Sequence, residues 1–532
     1  MEKKTKVQLN KKVFIPVAIV LSILFAFGVL FRDAFCVFCT TVLDVVLLNC
    51  NWLILLIAVA TGILLIYMIT HPDFGKKIIG GPDAKPEYGI FTWIAMAICS
   101  SIGIAMMFYA VAEPLGYFFN PPAYLELEAE SNHAALAAVA QSTLHWSVLY
   151  YALQIFWGII VVYLSMNKGL PFRPSTALYP ILKNKIFGWQ GTLIDVIASI
   201  TLICGTVTCF GLGTMQFSTG LSYVSGIEIT NTLYVIIVVL VTIIFTFSSA
   251  RGVKKGMAII SNINTYLYII LILFLLFAGP TINLLELIVG SIGETIRIFP
   301  SAMFNGDFLG NNGGFSNYNT AYYFIWTLAF SPIAGMFYAK IAKGRTIRQF
   351  IIVNWLVPSA FILTWFALWG GNAIWQDLEN GGKIQATIAE LGVPVANFAL
   401  LDGMPLGAIT VVLTLAAVLI GFITMTDALT GVVSSLTTKN SRANEAPIPL
   451  KLFWGCLTGG LTLVCLFVLK QVGTSALQSL AVGAGLLILL ITIAACFGSV
   501  RIVNGTVDEY LDHTEEGKKA LELSKAEEAE EA

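Results

Sequence analysis

Long apolar runs separated by short polar segments dominate this chain. Twelve runs reach the length that an α-helix needs to cross a bilayer, at residues 13–31, 52–70, 90–117, 138–165, 191–219, 231–249, 257–280, 320–339, 351–374, 405–433, 450–470 and 476–498. A water-soluble protein of this size could not bury so many apolar stretches of this length away from water. The pattern therefore predicts an all-α polytopic membrane protein with twelve transmembrane helices, numbered here as spans one to twelve.

Composition agrees with this prediction and excludes several classes of function. Of the 532 residues, 57% are hydrophobic and only 11% are charged, and the formal net charge of -1 gives no reason to expect a nucleic-acid partner. A membrane enzyme should carry clustered His or carboxylate side chains, but three of the four His lie in predicted loops or the tail (His71, His133, His513). Cys36 and Cys39 have no second pair with zinc-site spacing. We predict no enzyme, no cofactor and no structural metal.

Basic residues are distributed unevenly between alternate loops. Four of the 30 Lys and Arg residues lie in loops after odd-numbered spans, and the remaining 26 lie in the termini and the other loops. Lysine and arginine concentrate on the cytoplasmic side of membrane proteins. The asymmetry predicts a multi-pass protein of the plasma membrane, a bacterial cell or inner membrane, with both termini cytoplasmic.

Two predicted spans are interrupted at corresponding positions. Small residues and Gly103 weaken span three, and Ser331-Pro332 interrupts span eight, so that each begins a set of five spans. This pairing is typical of inverted-repeat transporters, whereas a channel would show a repeated pore loop. The predicted organisation is a cytoplasmic N-terminus (1–12), two peripheral helices (13–89), a first inverted repeat (90–280), an extracellular amphipathic helix and loop (281–319), a second repeat (320–498) and an acidic cytoplasmic tail that is a solvated helix or disordered (499–532).

Five sequence blocks resemble one family. They are IGGPDAKPEYGIFTWIAM, MMFYAVAEPLGYFFNPP, KGLPFRPSTALYPIL, GLGTMQFSTGL and AGMFYAKIAKGRTIRQFI. The last resembles the signature at the end of span eight in the betaine/choline/carnitine transporters. The resemblance implies a ten-helix core of two inverted five-helix repeats, a leucine-transporter-type fold, with the first two spans outside it. It also implies a secondary transporter of small amines in the lipid bilayer, commonly a homotrimer.

The resemblance also indicates a substrate site built from aromatic rings. The family has an H-W-x-x-x-x-W segment in span four, where Trp146 matches and Tyr151 replaces a tryptophan. In the W-W-x-x-[WY]-S-P segment of span eight, Trp326 matches, Thr327 replaces a tryptophan and Phe330 replaces Trp or Tyr. Ring faces hold a methylated ammonium, which cannot donate strong hydrogen bonds. Further candidates are the nearby rings Tyr323, Phe108 and Tyr109.

The backbone of span three is a candidate for the rest of the site. Ser101 and Gly103 lie where the family has G-x-G-x-G, and free N–H groups there would bind a substrate carboxylate. In sodium-driven members, ions are held by span-three carbonyls and by hydroxyls of spans five and ten. The corresponding residues here are Cys99, Ile102, Thr424, Met425 and Thr206, while Leu202 occupies the second threonine position of span five, with Thr201 beside it. Because Met425 replaces a serine and Leu202 a threonine, two oxygen ligands for sodium are lost, which argues against a full pair of sodium sites.

Four ionisable residues within apolar runs are further candidates, namely Glu113, His145, Asp195 and Asp427. Glu113 suits a helix cap equally well, and Asp427 suits either ion coupling or helix packing. The predicted function is alternating-access transport of a small quaternary-ammonium or N-methylated amino compound, betaine-like or less methylated, coupled to sodium. The alternatives are a sodium-independent exchanger, a proton-coupled carrier and, at a greater distance, a non-transporting sensor.

Overall fold

The computed structural model describes residues 9–101, 104–249, 253–305, 313–438 and 448–531. For residues 98–101, 246–249, 253–261, 428 and 528–531 only the backbone is described. Within these ranges the chain is almost entirely helical. Extended pairing there is limited to two isolated bridges, Leu9 with Thr438 and Ile78 with Thr346. The prediction of a nearly all-helical membrane protein is confirmed.

The helices of the first half of the chain are α1 (Lys11–Leu30), α2 (Arg32–Thr70), α3 (Ile90–Ser101), α4 (Ile104–Tyr109), α5 (Ala112–Phe119), α6 (Asn132–Trp146), α7 (Val148–Val162), α8 (Tyr179–Leu182), α9 (Trp189–Ser225), α10 (Asn231–Ser249), α11 (Val253–Ala278) and α12 (Thr281–Phe304). Those of the second half are α13 (Tyr322–Ile341), α14 (Ile347–Ile351), α15 (Val357–Glu379), α16 (Lys383–Leu391), α17 (Ala396–Asp402), α18 (Gly407–Leu436), α19 (Ile448–Phe467), α20 (Leu469–Val472), α21 (Ser475–Val503), α22 (Thr506–His513) and α23 (Glu515–Glu531). Single π-helical turns precede α13 at Ser316–Ala321, follow α7 at Tyr163–Asn167 and follow α14 at Ile352–Leu356.

Nine helices in the described ranges are long and apolar enough to cross a membrane, or ten if a bent pair counts as one span. The nine cover predicted spans one, two, four, five and eight to twelve. Span seven belongs to the bent pair Asn262–Ala278 and Thr281–Phe304, at 114°, and spans three and six are shorter apolar helices. The count of twelve, the inverted repeats and the segment boundaries stay predictions.

The two predicted helix interruptions have different outcomes. In span three, the described interruption lies at Ala110 and Val111, between α4 and α5, whereas residues 102–103, within the segment where the small residues predict a break, lie outside the described residues. Span eight is not broken at Ser331-Pro332, because α13 continues through Pro332 as one helix. Proline has no N–H group, so the carbonyl of Leu328 loses its helical donor. The carbonyl of the preceding residue, Thr327, accepts a hydrogen bond from Ser331 Oγ at 2.7 Å. The expected break in span eight is therefore wrong.

The basic segment after α13 anchors the loop that leads into α3. Backbone bonds join Ile79 N to Arg345 O at 2.9 Å and Gly344 N to Ile79 O at 2.9 Å. Gly344 has a φ of +80°, and a Cβ there would lie 2.6 Å from Lys85 O, so this position requires glycine. Arg345 Nη2 donates to Tyr88 O at 2.9 Å. The G-R-T-I-R block is thus a structural connector as well as a cluster of basic residues.

The helix α13 lies at the centre of the molecule, where it packs against α7, α9 and α21. Most of its side chains are buried. It approaches α7 closely at Gly335 and Gly158, two residues without side chains that face each other. A Cβ on either glycine would clash with the backbone of the opposite helix. Two small residues therefore allow α7 and α13 to pack backbone to backbone.

The acidic tail is helical, which is one of the two states predicted for it, but its helices α22 and α23 pack against the rest of the chain and are not fully solvated. Asp508 Oδ2 lies 2.8 Å from Lys77 Nζ, and Tyr163 OH donates to the same oxygen at 2.6 Å. Val507 and Leu511 of α22 are buried as well. Acidic tail residues thus pack against the basic loops that leave α2 and α7, although composition alone favoured a free end.

The second tail helix continues along the loop between α7 and α9. Ser524 Oγ donates to Gly169 O at 2.8 Å, and Arg173 Nη1 lies 3.3 Å from Glu527 Oε2. Lys183 Nζ sits 3.5 Å from the centroid of the Tyr510 ring, a cation–π contact. These contacts fix both tail helices to the connection between two predicted spans.

Substituting Asn for Asp508 is expected to loosen the tail. Burial alone would raise the pKa of Asp508, but hydrogen bonds from Lys77 and Tyr163 and the charge of Lys168 outweigh it, so its pKa is lowered. The carboxylate therefore stabilises docking above its ordinary pKa of about 3.9, and this stabilisation is lost as pH falls through the lowered value. For a half-exposed network we expect a loss of about 1 kcal/mol, or roughly fivefold faster tryptic cleavage at Lys518 and Lys519 at neutral pH. Glu522→Gln, a change at an exposed position of the same tail, should leave cleavage unchanged, and equal rates in both variants would contradict the docking.

Candidate functional site

Four aromatic rings from three helices form a buried cluster, defined here as Tyr109, Trp146, Tyr323 and Trp326. Trp146 is its centre: its ring centroid lies 4.7 Å from that of Tyr323, 5.6 Å from Tyr109 and 5.9 Å from Trp326. The planes of Trp146 and Trp326 meet at 85°. Both tryptophans are at most 2% exposed. The cluster joins the end of α4, the end of α6 and the beginning of α13.

Helical spacing explains which side chains of α13 belong to this site. Three residues follow Tyr323 at intervals of three, four and seven positions, namely Trp326, Thr327 and Phe330. At this spacing all four side chains share one face of the helix. The ring of Tyr150 lies between Phe330 and the cluster. Its centroid is 6.4 Å from that of Phe330 and 5.6 Å from that of Trp146. Thr327 is fully buried, and its hydroxyl donates to Tyr323 O at 2.8 Å.

Other predicted site residues lie at different distances from the cluster. Phe108 packs against Tyr109 at 5.0 Å, and Tyr151 against Tyr150 at 5.2 Å, so each is one ring removed from Trp146. Ile102 and Gly103 lie outside the described residues, as do the side chains of Cys99 and Ser101. The proposed role of the unwound span-three backbone therefore stays a prediction.

Two features of the site were missed at the sequence level. Tyr150 lies four residues after Trp146, and that spacing could have identified it. The second is a break at Ser147, with φ −116° and ψ −109°, which separates α6 from α7 directly after Trp146. Its buried hydroxyl has no hydrogen-bond partner among the described residues. The sequence H-W-S-V contains no glycine or proline to signal this break.

The side chain of Glu113 is hydrogen-bonded to Trp146 of the cluster and does not cap a helix. Trp146 Nε1 donates to Glu113 Oε2 at 2.6 Å, and Tyr117 OH donates to Oε1 at 2.9 Å. His145 Nδ1 bonds to the same Oε1. On its other side, His145 Nε2 lies 2.9 Å from Gln141 Nε2. The network fixes the indole of Trp146 through its ring nitrogen.

The predicted ion ligands of spans five and ten lie on α9 and α18, which pack against each other. Thr206 and Thr201 donate to carbonyls of their own helix, at Leu202 O (2.7 Å) and Ala198 O (3.0 Å). Thr424 likewise bonds to Ile420 O. A hydroxyl that donates in this way keeps its oxygen lone pairs for a cation. In the part of the chain that the structure describes, no group of three or more His, Cys, Asp or Glu could hold a metal ion.

Asp195 and Asp427 belong to other local contacts. Asp195 accepts from Ser175 N at 2.8 Å and from Ser175 Oγ at 3.0 Å, which ties the loop after α7 to α9. Asp427 Oδ1 lies 3.9 Å from Lys451 Nζ, and both side chains are buried between α18 and α19. These pairs favour helix packing as the role of both carboxylates.

Comparison with known proteins identifies the family of this chain. The family model described as the betaine/carnitine/choline family transporter matches residues 12–506. A probable glycine betaine transporter of Desulfitobacterium hafniense is 31% identical over 453 residues, which is 85% of this chain and 89% of that protein. A glycine betaine/proline/choline transporter of Vibrio parahaemolyticus is 29% identical, covering 87% of this chain and 83% of that protein.

A third relative, the ectoine/glycine betaine/proline transporter of Corynebacterium glutamicum, is 32% identical over 410 residues, which is 77% of this chain and 66% of that protein. All three relatives are named as transporters, and none as an enzyme. The family match extends over nearly the whole chain and includes every residue of the aromatic cluster. The chain belongs to the betaine/carnitine/choline family of transporters.

Proposed function

We propose that this protein is a secondary active transporter of a small quaternary-ammonium or N-methylated amino compound, of which glycine betaine is the leading candidate. The observation that carries the proposal is the perpendicular pair Trp146 and Trp326, closed on one side by Tyr323 and Tyr109. A desolvated methylated ammonium gains about 0.5 to 2 kcal/mol from each ring face. The three relatives named above all include glycine betaine in their names, which supports the same cargo class.

A zwitterionic cargo also needs a partner for its carboxylate. Trp326 Nε1 is buried and has no hydrogen-bond partner among the described residues. A buried donor left unpaired costs about 1 to 3 kcal/mol, so a cargo oxygen that accepts from it contributes to binding. Glycine betaine and its N-methylated relatives carry such an oxygen, whereas choline offers only a hydroxyl.

Thr327 is proposed to extend the cargo range towards less methylated glycines, because a threonine replaces the family's tryptophan on the cluster face. Thr327→Trp is expected to lower the preference for N,N-dimethylglycine relative to glycine betaine about fivefold, the effect of one added ring contact of about 1 kcal/mol. Competition against labelled glycine betaine measures the ratio. Thr327→Ser keeps the hydroxyl and should keep the wild-type ratio. A wild type that prefers choline or carnitine over the smaller glycines would contradict this role.

Transport is proposed to follow alternating access around the cluster, in a ten-helix core of two inverted repeats. The helix break between α4 and α5, directly after Tyr109, supports this mechanism, since broken helices line binding sites in such carriers. A homotrimer in the plasma membrane, with both termini cytoplasmic, is part of the same proposal and follows from family membership and from the Lys/Arg asymmetry.

Sodium coupling is proposed through Thr206, Thr201 and Thr424, with carbonyls of Cys99 and Ile102. The packing of α9 against α18 supports it by bringing the helices with these hydroxyls together. Half-buried Met425 supplies no oxygen ligand. The buried Glu113–His145 pair beside the cluster favours proton coupling as the second candidate.

Uptake by proteoliposomes tests the proposed function. Labelled glycine betaine should accumulate in the wild type, saturate at low concentration and be displaced by N-methylated glycines. A sodium gradient, a proton gradient or preloaded substrate, applied one at a time, separates symport from exchange. Trp326→Ala should abolish most of the uptake at the wild-type protein level in the vesicles. Unchanged uptake in that variant would remove the cluster from the transport site.

A further inference from the structure

We propose that Glu113 and His145 form a proton-binding pair linked to cargo binding, so that a cationic head group entering the aromatic cluster expels one proton from this pair. The proposal rests on the proposed function, because the linkage is observed through binding of a methylated ammonium. It assigns a role to two buried groups that packing alone does not require.

The surroundings of Glu113 suit an ionised carboxylate without a fixed counter-charge. Its oxygens accept from Tyr117 OH at 2.9 Å and from Trp146 Nε1 at 2.6 Å, and Oε1 also bonds to His145 Nδ1. Three donors on one carboxylate are the arrangement that an anion prefers. Among the described residues, no Lys or Arg lies within 4.0 Å of this carboxylate. A buried carboxylate without a neighbouring cation costs free energy, so a positively charged group that binds close to Glu113 is stabilised.

The far side of His145 can accommodate two protonation states. Its Nε2 lies 2.9 Å from Gln141 Nε2 and 3.1 Å from Thr320 Oγ1, and Tyr124 OH donates to Gln141 Oε1 at 2.7 Å. In this orientation the amide donates to Nε2, the imidazole is neutral and the pair carries a charge of about −1. Turning the amide presents Oε1 to Nε2–H, and the hydroxyls of Thr320 and Tyr124 can reverse their roles. The same atoms then hold an imidazolium, and the pair becomes neutral.

The indole of Trp146 connects this pair to the cargo. Its Nε1 donates a hydrogen bond to Glu113, and its ring packs against the rings of Tyr109, Tyr323 and Trp326. A cation on that ring is attracted by the −1 form of the pair and not by its neutral form. The empty cluster therefore favours the extra proton, and the occupied cluster favours its release, since linkage between two binding equilibria is reciprocal.

Other groups around the pair do not compete for this proton near neutral pH. The titratable side chains that face Glu113 are the phenols of Tyr117 on α5, Tyr109 at the end of α4 and Tyr323 on α13. The phenol of Tyr124 lies behind Gln141. Phenols stay protonated well above neutrality, whereas imidazole titrates between about pH 5 and 8. The proton is therefore assigned to the hydrogen-bonded Glu113–His145 pair as a unit, and not to the phenols around it.

Calorimetry on the purified full chain tests the linkage directly. Glycine betaine is titrated at several values between roughly pH 5.5 and 8.5, in buffers of different ionisation enthalpy, which reports the protons released per bound molecule. We expect affinity to rise with pH by up to about tenfold per unit, with about one proton released at the acidic end. His145→Gln should bind with an affinity that does not depend on pH. Glu113→Gln should bind more weakly, and its pH dependence should be smaller than in the wild type, because the buried imidazole loses the carboxylate that stabilises its protonated form.

His133→Gln is the matched control, because His133 lies at the start of the same helix α6, with Nε2 3.2 Å from Glu294 Oε1 and away from the cluster. It should keep the wild-type pH profile. A profile that is equally steep in His145→Gln, or binding without proton release in the wild type, would overturn the linkage and leave the proposed function intact. If the wild type binds no glycine betaine at any pH, the proposed function itself fails, and the linkage with it.

Discussion

Trp146→Leu is expected to weaken binding of glycine betaine about thirtyfold or more, the equivalent of at least about 2 kcal/mol for one desolvated cation–π contact. Trp146 has the largest expected effect because its ring contacts three other rings of the cluster and its Nε1 fixes Glu113. Leucine keeps an apolar side chain at the position but offers no ring face. Equilibrium binding to the purified protein, measured by calorimetry, gives the change in Kd.

Trp157→Leu serves as the control for this substitution. Trp157 is equally buried one helix further along the same predicted span, and its Nε1 donates to Thr492 Oγ1 at 3.2 Å, outside the cluster. Its replacement should lower thermal stability while leaving the Kd within about threefold of the wild type, since it removes packing and one hydrogen bond. Equal losses of affinity in the two variants would indicate a general packing effect and not a ring contact with the cargo.

Gly335→Ala is expected to destabilise the protein by about 3 kcal/mol, at the upper end of overpacking costs. A Cβ at this position would clash with backbone atoms of Gln154 and Gly158, so α7 and α13 must separate. Those two helices also carry Tyr150 and Trp326, so a separation should weaken cargo binding together with stability. Thermal unfolding of the detergent-purified protein, followed by size-exclusion chromatography, measures the loss.

Gly293→Ala provides a matched control for Gly335→Ala on the helix α12. A Cβ at Gly293 would meet no atom within 4 Å. Because alanine favours a helix by up to about 1 kcal/mol over glycine, this variant should be as stable as the wild type or slightly more stable. Wild-type thermal stability in Gly335→Ala would contradict the close packing of α7 against α13.

The sequence identified the family, the helical class and both tryptophans of the cluster, because each is determined by a local pattern. Long apolar runs require helices in a bilayer, and Trp146 and Trp326 stand within short motifs. Spacing along α13 would also have placed Tyr323 on the same face. These inferences need only neighbours in the chain.

Features that depend on distant neighbours could not be predicted. Glu113 beside Pro114 suggested a cap, but its partner His145 lies 32 residues away and only the packing of α5 on α6 brings them together. The acidic composition of the tail suggested a solvated end, yet Asp508 meets Lys77 across 431 residues. Pro332 suggested a break in span eight, yet α13 continues through it. The sequence does not show that α7, α9 and α21 pack against α13 and hold it in a helical conformation.

The central claim is that ring faces in the cluster recognise a positive charge, and a neutral isostere tests it most directly. In 3,3-dimethylbutanoate a tert-butyl group replaces the trimethylammonium of glycine betaine, with nearly the same shape and the same carboxylate. Displacement of labelled glycine betaine from the wild type should show the isostere to be at least about thirtyfold weaker, because it loses the cation–π attraction of about 2 kcal/mol. In Trp146→Leu this difference should shrink to a few-fold. Equal affinity of the two compounds for the wild type would contradict the account.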